Sequence, residues 1–466
     1  MDLLNKIRLH FATTPSEHPL TDGEKRTGRF RITLYSTISV IFGTAISDRV
    51  ISLYVLHMYP DISNAALACF FAIPPLLGIL TAVISPLVDI IGKKRITTPM
   101  YLMATPFLAA LLGVSWLERM FSPLVALVVF GFFLAAYYTF RALGFAGWFP
   151  LINDNVPGET RGRFFGRLRT TWQTALVIST ALLGWFFGDS PDLWRFQVVF
   201  GLAFLLNVAG TVVIASVPEQ PVVPRRMSKS FFQMMLMPFR NKVFVNFMVF
   251  GGLYSLALGL AGQFSIRCMV TTLGAGDNVV VWMSMMSSIG AAVMLSVWGR
   301  FVDRFGSRAI FTLLLPPIAL MNLVWLIMSP DLPSWRIWLG AYYFVQGIFI
   351  SGVGVGTTDM MLGSSGRAYR SAYINVSNVI NTVAVGVAPF LGTLVTMIAG
   401  DSVWNYGWLW LDGNRLVFVA RFLLLLAPML MLRKMSRRYG GEVRLALKQM
   451  SQSARRHMGS GSLKHQ

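Results

Sequence analysis

Charged residues are scarce in this chain of 466 residues. Asp, Glu, Lys and Arg together make up 13% of it, whereas a soluble domain carries about a quarter. Hydrophobic residues make up 55%, and they recur in long apolar blocks along almost the whole length. This composition excludes an ordinary soluble multidomain protein and indicates a chain that folds in a lipid bilayer.

Cysteine and histidine are also rare, which limits the chemistry that the chain can perform. The two cysteines, Cys69 and Cys268, cannot supply a disulfide framework or a metal site of four thiolates. Four of the five histidines lie in the tails, and His57 lies at an expected membrane interface. We therefore expect no metal site and no cofactor.

Several functional signatures are missing as well. No Gly-x-x-x-x-Gly-Lys-Ser/Thr loop is present, which disfavours nucleotide-driven transport. No apolar block places a His with a Ser, or two acids, at one depth, so we expect no catalytic residue and no enzyme activity. The net charge of +20 is scattered between apolar blocks, which disfavours a nucleic-acid partner. The first 32 residues lack the apolar core of a secretory signal, so the first span is expected to direct insertion.

The apolar blocks predict twelve membrane-spanning helices, since crossing a hydrocarbon core of about 30 Å takes about 20 apolar residues. The predicted spans cover residues 33–57, 64–88, 98–117, 123–147, 170–187, 196–217, 243–267, 278–298, 309–328, 337–360, 372–399 and 415–432. The span at 170–187 is the shortest of the first half.

The basic residues predict the orientation of these spans. With a cytoplasmic N-terminus, the tails and inner loops hold 32 of the 40 Lys and Arg residues, as the excess of positive charge on the cytoplasmic side requires. We expect a multi-pass protein of a bacterial inner membrane with both termini in the cytoplasm. The basic C-tail is consistent with a surface helix on anionic lipid or with a disordered tail.

Two loops carry one pattern of small, acidic and basic residues. Residues 299–308 read Gly-Arg-Phe-Val-Asp-Arg-Phe-Gly-Ser-Arg, and residues 85–94 read Ser-Pro-Leu-Val-Asp-Ile-Ile-Gly-Lys-Lys. A small first residue permits close helix approach, the later glycine permits a tight turn, and the acid can pair with the bases. The gating candidates in these loops are Asp89, Gly92, Lys93, Lys94, Gly299, Arg300, Asp303, Arg304, Gly306 and Arg308.

A second pair of inner loops repeats after spans four and ten. The first contains Val-Pro-Gly-Glu-Thr-Arg-Gly-Arg-Phe-Phe-Gly at 156–166, and the second contains Arg-Ser-Ala-Tyr at 370–373. The inner-loop candidates are Asp154, Arg161, Arg163, Asp359 and Arg370.

With these loops the chain resembles the major facilitator superfamily. The family signature between spans two and three is Gly-x-Leu-Ala-Asp-Arg-x-Gly-Arg-Lys, with a weaker copy between spans eight and nine. In the first copy here, Ser85 replaces the initial glycine and Ile90 replaces the arginine. Several bacterial members carry loops like the second pair, so the resemblance covers the twelve-span core.

The resemblance implies an all-α polytopic fold of two pseudo-symmetric six-helix halves, around a cavity lined by spans 1, 4, 7 and 10. The expected organisation is a cytoplasmic N-tail at 1–32, a first half at 33–217, a cytoplasmic linker at 218–242, a second half at 243–432 and a basic C-tail at 433–466.

Ionisable and polar side chains inside the spans are the candidates for binding a solute or a coupling ion, because burying them in a membrane is costly. Asp48 is interpreted as a proton or cation site or as a contact for a cationic substrate. The alternative is a structural ion pair with a basic residue, for which Arg49 is the obvious counter-charge. Arg141 suits an anionic group, an ion pair with Asp48 or a structural hydrogen bond to backbone. Arg267 suits a solute contact or a snorkelling side chain. Gln263 suits a solute contact or an interhelical hydrogen bond.

The leading hypothesis is a secondary active transporter of a small solute, functional as a monomer. It works by alternating access, coupled to a proton or cation gradient or running as a uniporter. The alternative is a transporter-like receptor or partner subunit without transport activity. Long cytoplasmic signalling domains would favour that alternative, and the loops here are short.

Reporter fusions test the predicted orientation. Green fluorescent protein fused after the C-tail should fluoresce, and alkaline phosphatase inserted in the expected outer loop at 329–336 should be active, because basic loops stay in the cytoplasm. The measurement is fluorescence and phosphatase activity in intact cells. Phosphatase activity from a C-terminal fusion would reverse the orientation.

Overall fold

The computed structural model describes residues 19–157, 161–220, 236–364, 370–400, 404–406 and 409–432. Its helices follow the order of the predicted spans, and five of these spans are divided into two helices. In the first half, the helices are Asp22–Ala45 and Asp48–Met58 (span 1), Asn64–Leu77 and Ile79–Ile91 (span 2), Lys93–Ala110 and Val114–Met120 (span 3), Pro123–Phe145 and Trp148–Asn155 (span 4), Arg161–Phe187 (span 5) and Leu193–Ala215 (span 6).

The second half also follows six predicted spans, and one of them is divided into two helices. Its helices are Lys242–Leu260 and Gly262–Arg267 (span 7), Asp277–Phe305 (span 8), Ser307–Met321 (span 9), Trp335–Ser364 (span 10), Arg370–Ala399 (span 11) and Gly413–Met431 (span 12). The 3₁₀ turns are Leu111–Gly113, Met237–Arg240 and Asn322–Leu326, and Cys268–Thr272 forms a π turn.

The predicted spans correspond to these helices, and the largest difference concerns span 5. Within the described residues, 11 helical segments are long and apolar enough to cross a membrane. Span 5 is the remaining segment, and its helix Arg161–Phe187 has 27 residues. The prediction at 170–187 captured only its apolar part, because arginines occupy the first turns of the helix.

The first helix begins before the predicted span. It starts at Asp22 rather than at residue 33, because Thr21 and Glu24 form a capping box. The Glu24 backbone N–H donates to the Thr21 hydroxyl at 3.3 Å, and the Thr21 N–H donates to the Glu24 carboxylate at 2.8 Å. Part of the expected N-tail is therefore helical.

A small hairpin lies in the expected outer loop before span 12. Its strands, Trp404–Tyr406 and Leu409–Leu411, pair antiparallel with Trp404 opposite Leu411. This hairpin was not predicted, and it departs from the otherwise helical fold.

The apolar core differs between the two ends of the molecule. At the predicted outer end, one cluster of buried side chains includes both halves, for example Phe130 and Phe264. At the predicted inner end, Phe247 and Phe311 belong to a cluster of the second half, and Trp148 belongs to a separate cluster of the first half. Among the described residues, the two halves therefore share an apolar cluster at one end only.

Across the halves, span 2 packs on span 11 and span 5 packs on span 8. Within the second half, spans 8 and 10 approach closely, since a methyl group added to Gly347 would clash with the Ser287 carbonyl. Gly290 lies in the same way against the Phe344 carbonyl. Small residues allow this approach in membranes.

Substituting Gly347 tests this helix contact. Gly347→Ala should destabilise the fold by about 1–3 kcal/mol because the added methyl overpacks the interface. Gly354→Ala is the matched control, since its methyl would meet no atom within 4 Å. Thermal unfolding in detergent measures both. Equal melting temperatures for the two variants would contradict the close contact.

Candidate functional site

Span 1 is broken partway along its length. Its two helices, Asp22–Ala45 and Asp48–Met58, are separated by two residues. The Tyr138 hydroxyl donates to the Ile46 carbonyl at the break over 2.8 Å, as backbone in a membrane requires a partner. The continuous helix assumed for span 1 is therefore wrong, and Asp48 is the first residue of a new helix.

Asp48 and Arg49 lie together at this break. Arg49 Nη1 is 3.7 Å from Asp48 Oδ1, and the side chains are 35% and 50% exposed respectively. That distance is too long for a hydrogen bond, so the guanidinium is loosely held. The Asp48 carboxylate accepts the Arg49 backbone N–H at 3.0 Å and sits at a helix N-terminus, which favours negative charge.

Arg141 is held by aromatic side chains. Its Nη1 donates to the Tyr35 hydroxyl at 3.2 Å. The guanidinium carbon lies 4.9 Å from the Phe42 ring centre and 4.3 Å from the Tyr101 ring centre, within cation–π range. Among the described residues Arg141 forms no ion pair with Asp48, and the hydrogen bond found is to a side chain rather than to backbone.

A cavity of about 420 Å³ opens between spans 1 and 5 of the first half and span 8 of the second. Of the spans expected to line a central cavity, span 1 contributes to this one. Its lining includes Arg49, Trp172 and a set of hydroxyl groups. The hydroxyl residues are Ser39, Thr44, Ser47, Thr180, Ser284, Ser287 and Ser288.

At the predicted outer end, Asn64 of the first half contacts several residues of the second. Its Nδ2 donates to Thr396 Oγ1 at 3.2 Å and to Asn414 Oδ1 at 3.3 Å. Its Oδ1 accepts from Arg267 Nη1 at 2.9 Å. Asn64 is thus the hub of a polar junction between the halves.

Gln263 and Arg267 belong to this junction. The Gln263 side chain is fully buried and donates to the Asn64 carbonyl at 3.4 Å. Thr393 Oγ1 donates to the same carbonyl at 3.2 Å, and Arg267 Nη1 also donates to the Ile62 carbonyl at 2.8 Å. We call Asn64, Gln263, Arg267, Thr393, Thr396 and Asn414 the outer latch.

The start of span 8 makes a second contact at this end. The backbone N–H groups of Asp277 and Asn278 donate to the carbonyls of Asp189 and Gly188, each at 3.0 Å. Asp277 Oδ2 lies 3.6 Å from His57 Nδ1. The outer ends of the two halves are therefore joined at two places.

The first signature loop is organised around its basic residues. Lys93 binds Asp154 through its ammonium group. The Glu219 carboxylate accepts the backbone N–H of Lys93 at 2.6 Å and that of Lys94 at 3.3 Å, at the N-terminus of a helix. Gly92 has φ of 114°, so the predicted tight turn is present.

The second signature loop matches the prediction in part. Gly306 has φ of 80°, and Ser307 donates to Asp359, which ties span 9 to span 10. A methyl group on Gly299 would meet no atom within 4 Å, so the close helix approach expected there is wrong. Asp303 is exposed and, within the described residues, forms no ion pair with the neighbouring bases.

The remaining candidates are less informative. Arg163, Arg300 and Arg304 are exposed, and Arg308 is partly buried near the inner ends. The side chains of Asp89, Arg161 and Arg370 lie outside the described residues. The described part of the chain holds no group of three or more His, Cys, Asp or Glu side chains that could bind a metal ion.

Solved transporters have a similar architecture. The chain aligns with a mutant of the nucleoside transporter NupG with a TM-score of 0.65 at 12% identity, over 87% of this chain and 99% of that one. A bacterial homologue of the human lysosomal transporter Spinster, inward-facing and unoccupied, gives 0.63 at 13% identity over 90% and 98%. A D-xylose–proton symporter gives 0.60 at 16% identity over 89% and 98%. The chain has the major facilitator fold.

One curated relative is similar in sequence. The inner membrane metabolite transport protein YhjE of Escherichia coli strain K12 is 26% identical over 223 residues, which is 45% of this chain and 50% of that protein. The match thus spans half the length of that relative. No protein-family model matches the chain.

The internal repeat of the major facilitator fold is visible in two spans. Span 7 is broken after Leu260, as span 1 is broken after Ala45. Both breaks lie on the outer-end side of their spans, next to the junction between the halves.

Several residues of the site were not predicted. Asn64 and Glu219 are ordinary polar residues near predicted span ends, and the seven hydroxyl groups of the cavity lie on three different spans. The break at Ser47 had one signal, since Ser followed by Asp is typical of a helix N-terminus.

Removing the hub of the outer latch should loosen the closed outer end. Asn64→Ala deletes the side-chain bonds to Arg267, Thr396 and Asn414, each worth about 1 kcal/mol. Labelling of Cys268 by a membrane-impermeant maleimide, in a Cys69→Ser background, should accelerate by about tenfold or more for a shift of about 1.4 kcal/mol.

Cys268 suits this measurement because it is buried, at 2% exposure, directly after Arg267. Asn278→Ala is the control, since among the described residues the Asn278 side chain bonds only the adjacent Val279 N–H. An unchanged labelling rate in Asn64→Ala would show that the latch does not hold this end closed.

Proposed function

We propose that this protein is a secondary active transporter that moves a small solute by alternating access. It resides in a bacterial inner membrane with both termini in the cytoplasm and functions as a monomer. The likeness in fold to three transporters, and the partial match to an inner membrane metabolite transport protein, favour transport over the receptor alternative. Contact of the C-tail with anionic lipid is part of the proposal and lies outside the described residues.

The observation that carries the proposal is that the apolar core is shared by both halves at one end of the molecule and divided between them at the other. One cluster of buried side chains crosses between the halves at the predicted outer end. The clusters of the predicted inner end each belong to one half. A molecule joined at one end and divided at the other has the shape that alternating access requires of one of its two states.

The outer latch is the gate that must open in the other state. Its contacts are a few polar side chains around Asn64, and each hydrogen bond contributes only about 0.5–1.5 kcal/mol net. A ligand that prefers the outward-facing state by a few kcal/mol is therefore sufficient to open it. Gln263 and Arg267 act in this gate rather than as primary solute contacts.

The inner loops act on the rate of conformational change. Lys93 with Asp154 and Glu219 ties spans 3 and 4 to the start of the linker. Ser307 with Asp359 ties spans 9 and 10 at the corresponding place. Because these contacts stay within one half, they keep each half rigid while the halves move against each other.

Asp48 is the proposed coupling site. It lies half exposed at the break of span 1, beside a cavity that both halves line. A carboxylate there can bind a proton or cation in one state and release it in the other. Its loose pairing with Arg49 leaves it free to change partners.

Transport with an imposed pH gradient tests this role. Proteoliposomes containing wild type or Asp48→Asn are assayed with a labelled panel of sugars, nucleosides and hydroxy acids. Wild type should accumulate a solute against its gradient, and Asp48→Asn should lose accumulation while keeping exchange, because only the coupled step needs the carboxylate.

Asp331→Asn is the control, since Asp331 is exposed in the expected outer loop. Equal accumulation by wild type and Asp48→Asn would leave Asp48 a structural residue. Absence of any protein-dependent flux in either protein would count against transport itself.

A further inference from the structure

Arg49 is a cation in the membrane interior whose ion pair with Asp48 is long. Its nearest carboxylate, Asp48, is 3.7 Å away, and its side chain is 35% exposed. Among the described residues its guanidinium makes no hydrogen bond, although that group offers five N–H donors. Because charged N–H donors that make no hydrogen bond are costly inside a membrane, the guanidinium can accommodate an anionic group in the cavity that it lines.

Three hydroxyl groups of the same cavity are also free. Within the described residues, the side chains of Ser47, Ser287 and Ser288 make no hydrogen bond to protein, and all three line the cavity. The hydroxyl of Thr44, in contrast, donates to the Val40 carbonyl at 2.9 Å. A free hydroxyl can both donate and accept, so these groups suit hydroxyl groups on a solute.

The charge balance inside the spans favours an anion. Away from the span ends, the described charged residues are the three arginines Arg49, Arg141 and Arg421 and the single carboxylate of Asp48. Arg421 is 5% exposed, and its Nε has no hydrogen-bond partner. Arg49 is the one of these arginines that lines the cavity, and the net positive charge of the surrounding spans favours an anion there.

The volume and the lining residues of the cavity limit the class of solute that can bind there. Its volume of about 420 Å³ lies at the small end of ligand pockets, which span about 300–1,000 Å³. Trp172 adds an apolar ring for a carbon skeleton. A short hydroxylated chain or ring with one charged group fits these dimensions.

We propose that this cavity binds a small organic anion that also carries hydroxyl groups, with its carboxylate or phosphate on Arg49. The hydroxyl groups of the solute bond Ser47 from the first half and Ser287 and Ser288 from the second. The assignment rests on the proposed transport function and adds the substrate class. Because the ligand contacts both halves, its binding is sensitive to their relative arrangement.

Thermal stabilisation of the purified full-length protein tests the assignment. The probes are matched pairs that differ in charge: glycerate and glycerol, glucuronate and glucose, and glycerol 3-phosphate and glycerol. At least one anionic member should raise the melting temperature in a concentration-dependent way, as a ligand of the folded state must, and its neutral counterpart should not. Comparing glycerate with glycerol 3-phosphate separates a carboxylate from a phosphate preference.

Variants of Arg49 tie the effect to the cavity. Arg49→Gln should weaken binding of the anion by about 10- to 100-fold, because a charge-assisted hydrogen bond is lost. Arg49→Lys should retain part of the affinity, which keeps the test usable if the Gln variant fails to fold. Arg336→Gln is the control, since Arg336 is exposed in the expected outer loop. Ser288→Ala should weaken binding of the hydroxylated anion but not that of an anion without hydroxyl groups, such as propionate.

Three outcomes of these binding measurements would overturn the assignment. If the neutral probes raise the melting temperature as much as the anionic probes do, the predicted selectivity for negative charge is wrong. Stabilisation that persists unchanged in Arg49→Gln places the ligand elsewhere, and a well-folded wild type that no anionic probe stabilises contradicts the class. Proteoliposome uptake then separates the two proposals. An anion that binds at Arg49 without being transported removes the transport function alone, and a transporter of neutral solutes removes the anion assignment alone.

Discussion

Hydrocarbon offers no hydrogen-bond partner, so every backbone N–H and C=O inside a membrane must be satisfied by the protein. This constraint determines where the chain can depart from helix. The break in span 1 occurs where the Tyr138 hydroxyl reaches the Ile46 carbonyl. The break exposes Asp48 and Arg49 beside a cavity, so the same local departure from helix that needs a partner also creates the candidate site.

The two ends of the molecule differ in whether the described contacts cross between the halves. The predicted outer end combines a shared apolar cluster with the polar junction around Asn64. The inner ends contain bonds that stay within one half, such as Lys93 to Asp154. Apolar contact between halves has little driving force in lipid, so the polar bonds add the directionality that fixes how the halves meet.

Some details of the loops were predictable and others were not. The glycines at 92 and 306 were correctly expected to form tight turns, since only glycine readily adopts their positive φ. The roles expected for Gly299 and Asp303 depended on what lies opposite them, which a loop pattern does not contain. The shared motif could not show that Glu219, far along the chain, binds the backbone of Lys93.

The sequence by itself determined that the chain folds in a lipid bilayer, the order of its helices and the family resemblance, because hydrophobic length and loop motifs are local properties. Tertiary structure decided the rest. It broke span 1 before Asp48, surrounded Arg141 with aromatic rings and joined Asn64 to Arg267 from the opposite half. These arrangements depend on which spans face each other, and the pairing of helices in a membrane follows from close packing and polar contacts that no single segment encodes.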